Sequence, residues 1–169
     1  IRNASGIVFD DEIVWISSVS SGLYELDKKT WAIRAHYDKY SNVCPLASNV
    51  VRYIFMDSKQ ALWLAMDCGL YKMEEGRKHI TSYADRKELI NSRVVSIQEG
   101  NHGELWMGTY NGLYKYVSAD DSFKHFGKED NLDVGQFNYH ACARAGNLIY
   151  MGATKGLVWF EPQATQRTH

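Results

Sequence analysis

The chain of 169 residues has the length of one domain or of part of a larger one. Its 19 Lys and Arg residues against 20 Asp and Glu give a formal charge of -1, which argues against a nucleic-acid-binding surface, since such surfaces need a basic excess. Its apolar runs are far shorter than the roughly 20 residues that cross a bilayer, so we expect no direct membrane contact. Two prolines, 13 glycines and 13% aromatic residues favour short strands and tight turns.

The residues that could bind a metal or a cofactor show no recognisable spacing. The three cysteines, Cys44, Cys68 and Cys142, form no CxxC pair, and their odd number leaves at least one thiol free. The six histidines form neither an HxH nor an HExxH motif. No segment carries the Gly-rich start of a nucleotide-binding helix, and no residue is marked as a nucleophile. The sequence therefore predicts no catalytic residue, no metal site and no cofactor.

A segment of about 44 residues occurs four times, which is the period of a β-propeller blade. Two markers recur in step in the four copies: an aromatic residue and a turn glycine. The aromatic residues are Trp15, Trp63, Trp106 and Tyr150, and the glycines are Gly22, Gly69, Gly112 and Gly156.

The repeats divide the chain into four units of short strands. The first unit, residues 3–49, starts its first strand near Asn3, and the second spans residues 50–92. The third unit, residues 93–136, is predicted to contain four strands. The fourth unit, residues 137–162, is predicted to contain only three, because Pro162 ends the pattern. In the third unit the strands are expected at 93–99, 104–109, 112–117 and 123–126. In the fourth they are expected at 137–145, 147–153 and 156–161.

The predicted fold is an all-β propeller of four blade repeats, arranged as a single domain. In a propeller both faces of a blade are covered by its neighbours, so Leu105, Trp106 and Met107 can all be buried although they are consecutive. The turn glycines allow a positive φ in the hairpin between the second and third strands. Gly108 and Gly152 stand where a side chain would crowd the next blade.

The missing strand of the fourth unit predicts an incomplete ring. Because only two residues precede the first predicted strand, we expect the closing strand, and further blades, to lie upstream of Ile1. We expect the open edges at the first and last blades to pair with other blades or with a second copy of the chain. The alternative is a complete four-bladed ring.

The third unit resembles the two-component regulator propeller repeat, V-x-x-I-x-x-D-x-x-G-x-L-W-x-G-T-x-x-G-L. The matching sequence is VVSIQEGNHGELWMGTYNGL at 94–113, and VRYIFMDSKQALWLAMDCGL at 51–70 matches it more loosely. FNYHACARAGNLIYMGATKGLVWFEP, which begins at Phe137, resembles the family's closing blade. The resemblance implies part of a seven-bladed propeller in the periplasmic sensor domain of a bacterial hybrid two-component system, a family associated with glycan sensing.

Candidate binding residues lie in loops that a propeller gathers on one face. These loops follow the second strands or connect successive blades. Aromatic rings stack on sugar rings, and Asn, Asp and Arg hydrogen-bond to hydroxyl groups, so an oligosaccharide is the expected ligand. The candidate ligand-binding residues are Tyr40, Asp67, Arg93, Tyr110 and Asn111.

Three functions are compatible with this sequence. The favoured one is a non-catalytic sensing module in which ligand binding changes how the propeller docks on a partner domain or on a second copy. The second is a protein-interaction scaffold. The third is a propeller lyase or hydrolase, for which His140, on a predicted innermost strand, is the one candidate catalytic histidine.

Overall fold

The computed structural model describes residues 1–162, which form 15 β-strands in four antiparallel sheets. We name the sheets blades 1–4. Their strands are, in blade 1, β1 (Ala4–Phe9), β2 (Ile13–Ser18), β3 (Gly22–Asp27) and β4 (Ile33–Tyr37); in blade 2, β5 (Val51–Met56), β6 (Leu62–Met66), β7 (Gly69–Met73) and β8 (Ile80–Ser82); in blade 3, β9 (Val94–Glu99), β10 (Leu105–Thr109), β11 (Gly112–Val117) and β12 (Ser122–Phe126); and in blade 4, β13 (Phe137–Ala145), β14 (Leu148–Ala153) and β15 (Gly156–Phe160). Two short 3₁₀ helices, Lys87–Leu89 and Lys128–Asp130, lie in the connectors.

Within every blade the strands pair in sequence order, each with the next. Blades 1–3 have four strands, and the described part of blade 4 has three. This arrangement confirms the predicted all-β propeller fold of four blade repeats. The strand bounds in blades 3 and 4 agree with the predicted ones to within a residue or so at each end.

The chain divides into two compact units. Unit 1 comprises Ile1–Asp85 and contains blades 1 and 2, and unit 2 begins at Arg86 and contains blades 3 and 4.

The core of unit 1 lies between blades 1 and 2. Trp15 and Leu23 of blade 1 pack with Val51, Leu64 and Met73 of blade 2, and all five side chains are fully buried. Every residue of β6 is buried, which shows that both faces of this strand are covered. A continuous apolar strand is therefore stable here, since neither face of β6 is left to solvent.

The core of unit 2 repeats this arrangement between blades 3 and 4. Val95, Trp106 and Leu113 of blade 3 pack with Phe137 and Met151 of blade 4. As the sequence predicted, the consecutive residues Leu105, Trp106 and Met107 are all buried.

The turn glycines adopt the predicted backbone conformation. Gly22 and Gly112 have φ of 85° and 89°. A Cβ atom on Gly22 would lie 2.2 Å from the carbonyl oxygen of Tyr37, and one on Gly112 would lie 2.6 Å from that of Phe126. Each glycine is therefore required both by its left-handed conformation and by the close approach of the fourth strand.

A glycine stands near the end of the second strand in both blade 3 and blade 4, but the two glycines have different neighbours. A Cβ atom on Gly108 would lie 2.9 Å from Phe137 of blade 4, which confirms the predicted crowding by the next blade. For Gly152 the prediction is not tested, because no blade follows blade 4 among residues 1–162. A Cβ atom there would meet Ala141 at 3.0 Å, and Ala141 belongs to the innermost strand of the same blade.

The innermost strand of each blade carries a bulge near its start. In blade 3, Val94 pairs with Thr109 and Ser96 with Gly108, so one extra residue stands between the pairs. In blade 4, Phe137 pairs with Ala153 and the next pair is Cys142 with Met151. The bulge of β13 is therefore wider than the others, and His140 lies within it with φ of 58°. Bulges of this kind bend a strand and change the direction of its side chains.

Candidate functional site

A cavity of about 340 Å³ opens in unit 2 between the β10–β11 turn and the connector that follows β12. This volume is within the range of small-molecule sites. Tyr110 and Asn111 form the wall on the turn side, and residues of the connector form the opposite wall. The lining residues are Tyr110, Asn111, Gly112, His125, Gly127, Lys128, Glu129, Leu132, Asp133, Gly135 and Gln136. We call this cavity the turn pocket.

The β10–β11 turn is held by the side chain of Thr109. Its hydroxyl donates to the carbonyl oxygen of Gly112 at 2.8 Å and accepts from the amide of Asn111 at 3.0 Å. The amide of Tyr110 donates to the carbonyl oxygen of Arg93 at 3.1 Å. These bonds fix the backbone of Tyr110 and Asn111, so both side chains project from a rigid turn.

Arg93 lies against the ring of Tyr110. The centre of its guanidinium is 5.6 Å from the ring centroid, within cation–π distance. Tyr139, from the bulge of β13, makes a T-shaped contact with the same ring at a centroid distance of 6.3 Å. Tyr110 therefore contacts a cation and a second aromatic ring, while 37% of its surface remains exposed.

His125 connects the turn to the connector. Its Nε2 lies 2.7 Å from the carbonyl oxygen of Asn111, so Nε2 carries a proton and donates. Its Nδ1 lies 3.2 Å from the carboxylate of Glu129, and its ring packs on Tyr114 at 4.8 Å. Asn111 is exposed and lines the pocket, so its side-chain amide is available there as a hydrogen-bonding group.

The far wall of the pocket carries paired charges. Asp133 accepts a hydrogen bond from the ammonium of Lys155 at 2.8 Å, and Lys128 lies 3.8 Å away. The hydrogen bond from Lys155 lowers the pKa of Asp133, and the charge of Lys128 adds to this shift. Asp133 is therefore ionised at neutral pH and can accept a hydrogen bond from a hydroxyl group.

Main-chain hydrogen bonds tie the connector to the β14–β15 turn. The amide of Thr154 donates to the carbonyl oxygen of Gln136 at 2.8 Å, and that of Lys155 donates to Val134 at 3.0 Å. A Cβ atom on Gly135, where φ is 75°, would lie 2.2 Å from the hydroxyl oxygen of Thr154. The connector therefore has a fixed path, and the pocket has two ordered walls.

Three of the five sequence-predicted site residues come together in unit 2: Arg93, Tyr110 and Asn111. The other two lie in unit 1, on separate loops. Tyr40, 73% exposed, follows β4 and has the ammonium of Lys39 at 4.8 Å from its ring. Asp67 occupies the β6–β7 turn, where its amide donates to the carbonyl oxygen of Val50 at 3.2 Å.

Sequence reasoning missed His125, and a repeated pattern could have revealed it. His36 of blade 1 lies opposite Tyr24, as His125 lies opposite Tyr114, and both tyrosines stand two residues after a turn glycine. The Nε2 of His36 lies 2.6 Å from the carbonyl oxygen of Ser21, which precedes that glycine. In blades 1 and 3, a Tyr–His pair thus accompanies a hydrogen bond from the histidine to the backbone of the hairpin turn.

His140, the candidate for a catalytic role, lies in the wide bulge of β13, with its ring 6.3 Å from that of Tyr139. Partial burial lowers the pKa of His140, so its imidazole is neutral at pH 7.

Comparison with protein-family models supports the repeat predicted from the sequence. Residues 88–111 match the family model described as the two component regulator propeller. This chain carries the two-component regulator propeller repeat. The matched segment covers β9, β10 and the start of the turn that holds Tyr110 and Asn111.

The chain is similar to parts of larger proteins. The extracellular domain of a putative hybrid two component system from B. thetaiotaomicron superposes with a TM-score of 0.80 and 25% identity over 95% of this chain and 22% of that one. A second such domain from the same organism shares the fold, with a TM-score of 0.70 and 19% identity over 94% of this chain and 22% of its own. A histidine kinase of Formosa agariphila is 27% identical over 90% of this chain and 15% of its own length.

The chain thus spans less than a quarter of each of these relatives. The structural similarity is to extracellular domains of putative hybrid two component systems. Within residues 1–162, no helix is long and apolar enough to span a membrane.

Proposed function

We propose that this chain is a ligand-sensing propeller module of a bacterial hybrid two-component histidine kinase, located in the periplasm, and that its ligand is an oligosaccharide. The similarity to extracellular domains of hybrid two component systems supports the sensor role. The single observation that supports a glycan is the turn pocket, where an exposed tyrosine ring adjoins amide and carboxylate groups.

The chemistry of the turn pocket matches a sugar ring better than an apolar ligand. The face of Tyr110 can stack on the C–H groups of a pyranose, and the Asn111 amide can both donate to and accept from hydroxyl groups. The Asp133 carboxylate, on the opposite wall, can accept a hydrogen bond from a hydroxyl group of the sugar. The volume of about 340 Å³ holds one or two sugar units, so the pocket would recognise the end or a short stretch of an oligosaccharide.

In this mechanism the ligand joins two segments that are far apart in sequence, the β10–β11 turn and the connector. A ligand that contacts both would favour the arrangement in which they are closest. The signal can be no larger than the difference in ligand affinity between the two arrangements. The membrane-linked kinase of the parent protein would read that difference through the docking of the propeller on a partner domain.

Isothermal titration of the chain against a panel of plant and host oligosaccharides tests the proposal. For a ligand that binds, we expect Tyr110→Ala and Asn111→Ala each to weaken affinity by about tenfold or more, which corresponds to the loss of about 1.4 kcal/mol. Tyr110→Phe should retain most of the affinity if stacking dominates.

Asn147→Ala is the matched control, because Asn147 is an exposed amide in the turn at the opposite end of β14. It should bind as the native chain does. If no oligosaccharide of the panel binds, the glycan proposal is wrong. Loss of affinity in Asn147→Ala as large as that in Asn111→Ala would place the site elsewhere.

A further inference from the structure

A cavity of about 460 Å³ lies in unit 1, between the connector that follows β4 and the β7–β8 turn. It is lined by residues 35–37 at the end of β4, residues 41–44 of the connector and residues 76–78 of the turn. Arg77 and Lys78 are cations, and none of the described residues that line the cavity is an aspartate or a glutamate. We call this cavity the cationic pocket.

The connector side of the cationic pocket is held in place by hydrogen bonds around Asp38. The Asp38 carboxylate accepts from the amide of Tyr40 at 2.8 Å, and the Asp38 amide donates to the hydroxyl oxygen of Ser41 at 2.8 Å. The carbonyl oxygen of Asp38 accepts from the amide of Leu46 at 2.9 Å. This wall of the pocket is therefore ordered without a ligand.

On the other side, the guanidinium of Arg77 is fixed across its own turn. Its Nη1 donates to the carbonyl oxygens of Met73 and Glu74 at 3.2 and 3.1 Å, and its centre lies 4.8 Å from the ring of Trp15. The backbone of Arg77 has φ of 56°, a left-handed conformation that is uncommon for a long side chain. The arginine is thus held in one orientation beside the cavity.

The charge of Arg77 has no counter-ion. Among residues 1–162 no carboxylate forms an ion pair with it. Glu25, an acidic residue of the neighbouring strand β3, accepts from the hydroxyl of Tyr37 at 3.0 Å instead. Burial lowers the pKa of Arg77, and the charges of acidic groups such as Asp10 and Glu25 oppose that shift only in part. Arg77 is therefore a half-buried cation that an anion would stabilise.

The pocket also offers hydrogen-bond donors without acceptors. A guanidinium has five N–H groups, and those of Arg77 bond to two carbonyl oxygens and, at 3.7 Å, to the sulfur of Met56. Two N–H groups, on Nε and Nη2, have no acceptor within residues 1–162. Lys78 and, on the connector side, Asn42 are exposed and add an ammonium and an amide.

The size and the remaining lining indicate more than a bare inorganic ion. A volume of about 460 Å³ is within the range of sites for small organic molecules. Ala35 and Val43 add apolar surface next to the donors, and Val43 is 74% exposed. The pocket therefore combines a charged end with room for an organic body.

We infer that the cationic pocket binds the carboxylate of a small organic acid, which Arg77 and Lys78 hold while its ring-sized body contacts Ala35 and Val43. Arginine matches the planar geometry of a carboxylate, and such charge-assisted bonds are stronger than neutral ones. This site lies in unit 1 and requires a negative charge, whereas the turn pocket lies in unit 2 and is proposed to bind by stacking and hydroxyl contacts. The inference does not depend on the glycan proposal.

NMR titration of the whole chain, read from its backbone amide signals, tests the inference. Benzoate and glucuronate supply a carboxylate on an aromatic or a saccharide body. Benzyl alcohol and glucose are their neutral counterparts, and sulfate is the bare anion. We expect at least one carboxylate to shift the amides of Asn42, Val43, Gly76 and Lys78, and its neutral counterpart to leave them unchanged. The comparison of benzoate with glucuronate shows which body the pocket accepts.

Three variants examine the charge requirement with the carboxylate that binds. Lys78→Ala should weaken affinity by about two- to fivefold, as expected for an exposed ion pair. Arg77→Lys should weaken it by about tenfold or more, because it keeps the charge but loses the planar pair of donors. Lys29→Ala is the matched control: it removes the same charge from an exposed turn of blade 1 and should bind as the native chain does.

Four results would overturn the inference. The first is that neither carboxylate shifts the amides of the cationic pocket, or that both shift only those of the turn pocket, such as Asn111 and Gly135. The second is equal binding of a carboxylate and its neutral counterpart, which would remove the charge requirement. The third is sulfate binding as tightly as either carboxylate, which would leave the organic body without a role. The fourth is a loss in Lys29→Ala as large as that in Lys78→Ala.

Discussion

Asp57 and Trp63 form a buried hydrogen bond whose loss should be measurable. The Asp57 carboxylate accepts from the amides of Lys59 and Ala61 at 3.0 and 2.9 Å and from the indole N–H of Trp63 at 2.8 Å. Asp57 is 8% exposed and Trp63 1%. Asp57→Asn can keep both backbone bonds through its carbonyl oxygen, but its NH₂ group then faces the indole N–H, and neither can accept.

The expected cost of Asp57→Asn is about 1–3 kcal/mol, the desolvation penalty of a buried donor left without an acceptor. For a chain of this length that lowers the melting temperature by about 2–4 °C for each kcal/mol. Urea denaturation followed by circular dichroism measures the free energy of unfolding directly.

Asp10→Asn is the control, because in the corresponding turn of blade 1, which is one residue shorter, Asp10 also accepts two backbone hydrogen bonds but none from an indole. Asp10 accepts from the amides of Glu12 and Ile13 at 3.0 and 2.7 Å, while the buried indole N–H of Trp15 has no hydrogen-bond partner within residues 1–162. Asp10→Asn should therefore change stability by less than about 0.5 kcal/mol. Equal losses in the two variants would refute the reasoning, as would an unchanged cost of Asp57→Asn in a Trp63→Phe background.

Two further substitutions test packing and charge in unit 2. Gly108→Ala should destabilise the chain by about 1–3 kcal/mol in urea denaturation, because its Cβ would lie 2.5 Å from the Ser96 hydroxyl oxygen and 2.9 Å from Phe137. Lys155→Ala should raise the pKa of Asp133 back toward 3.8 in an NMR titration of the side-chain carboxyl. Since the folded-state pKa is lowered, the stability contributed by this pair is present above pH 3.8 and is lost as the pH falls through the folded-state value.

One result would contradict the expectation for Gly108→Ala, and another would contradict that for Lys155→Ala. Gly152→Ala, whose Cβ would meet only Ala141 at 3.0 Å, should cost less than Gly108→Ala, and the reverse order would contradict the packing argument. An Asp133 titration that is the same in Lys155→Ala as in the native chain would show that the hydrogen bond from Lys155 does not set the pKa.

The sequence determined the strands and turns because their signals are local. A turn glycine such as Gly112 is required by the φ of its own residue, and the aromatic and β-branched runs on either side of it fix the hairpin. The repetition of these signals at a fixed period was enough to predict four blades, their strand order and the three strands of blade 4.

Part of the candidate site followed from the same reasoning. Tyr110 and Asn111 occupy a turn whose location the glycine fixes, so their presence at the end of a blade was predictable. His125 was not identified, although it lies opposite Tyr114 at a position that His36 repeats in blade 1. An alignment of blades 1 and 3 on their turn glycines brings the two histidines to within one residue of each other, and the register of the fourth strand then shows that each lies opposite the tyrosine.

Only the tertiary structure decided what surrounds those residues. The carboxylate of Asp133 reaches the turn pocket because the connector is tied to the β14–β15 turn, and no local signal encodes that path. The contacts of the tryptophans likewise come from the next blade: the guanidinium of Arg77 lies 4.8 Å from the ring of Trp15, and the ring of Phe160 lies 4.6 Å from that of Trp106. Packing between blades joins residues that are far apart in sequence, so no local signal encodes these contacts.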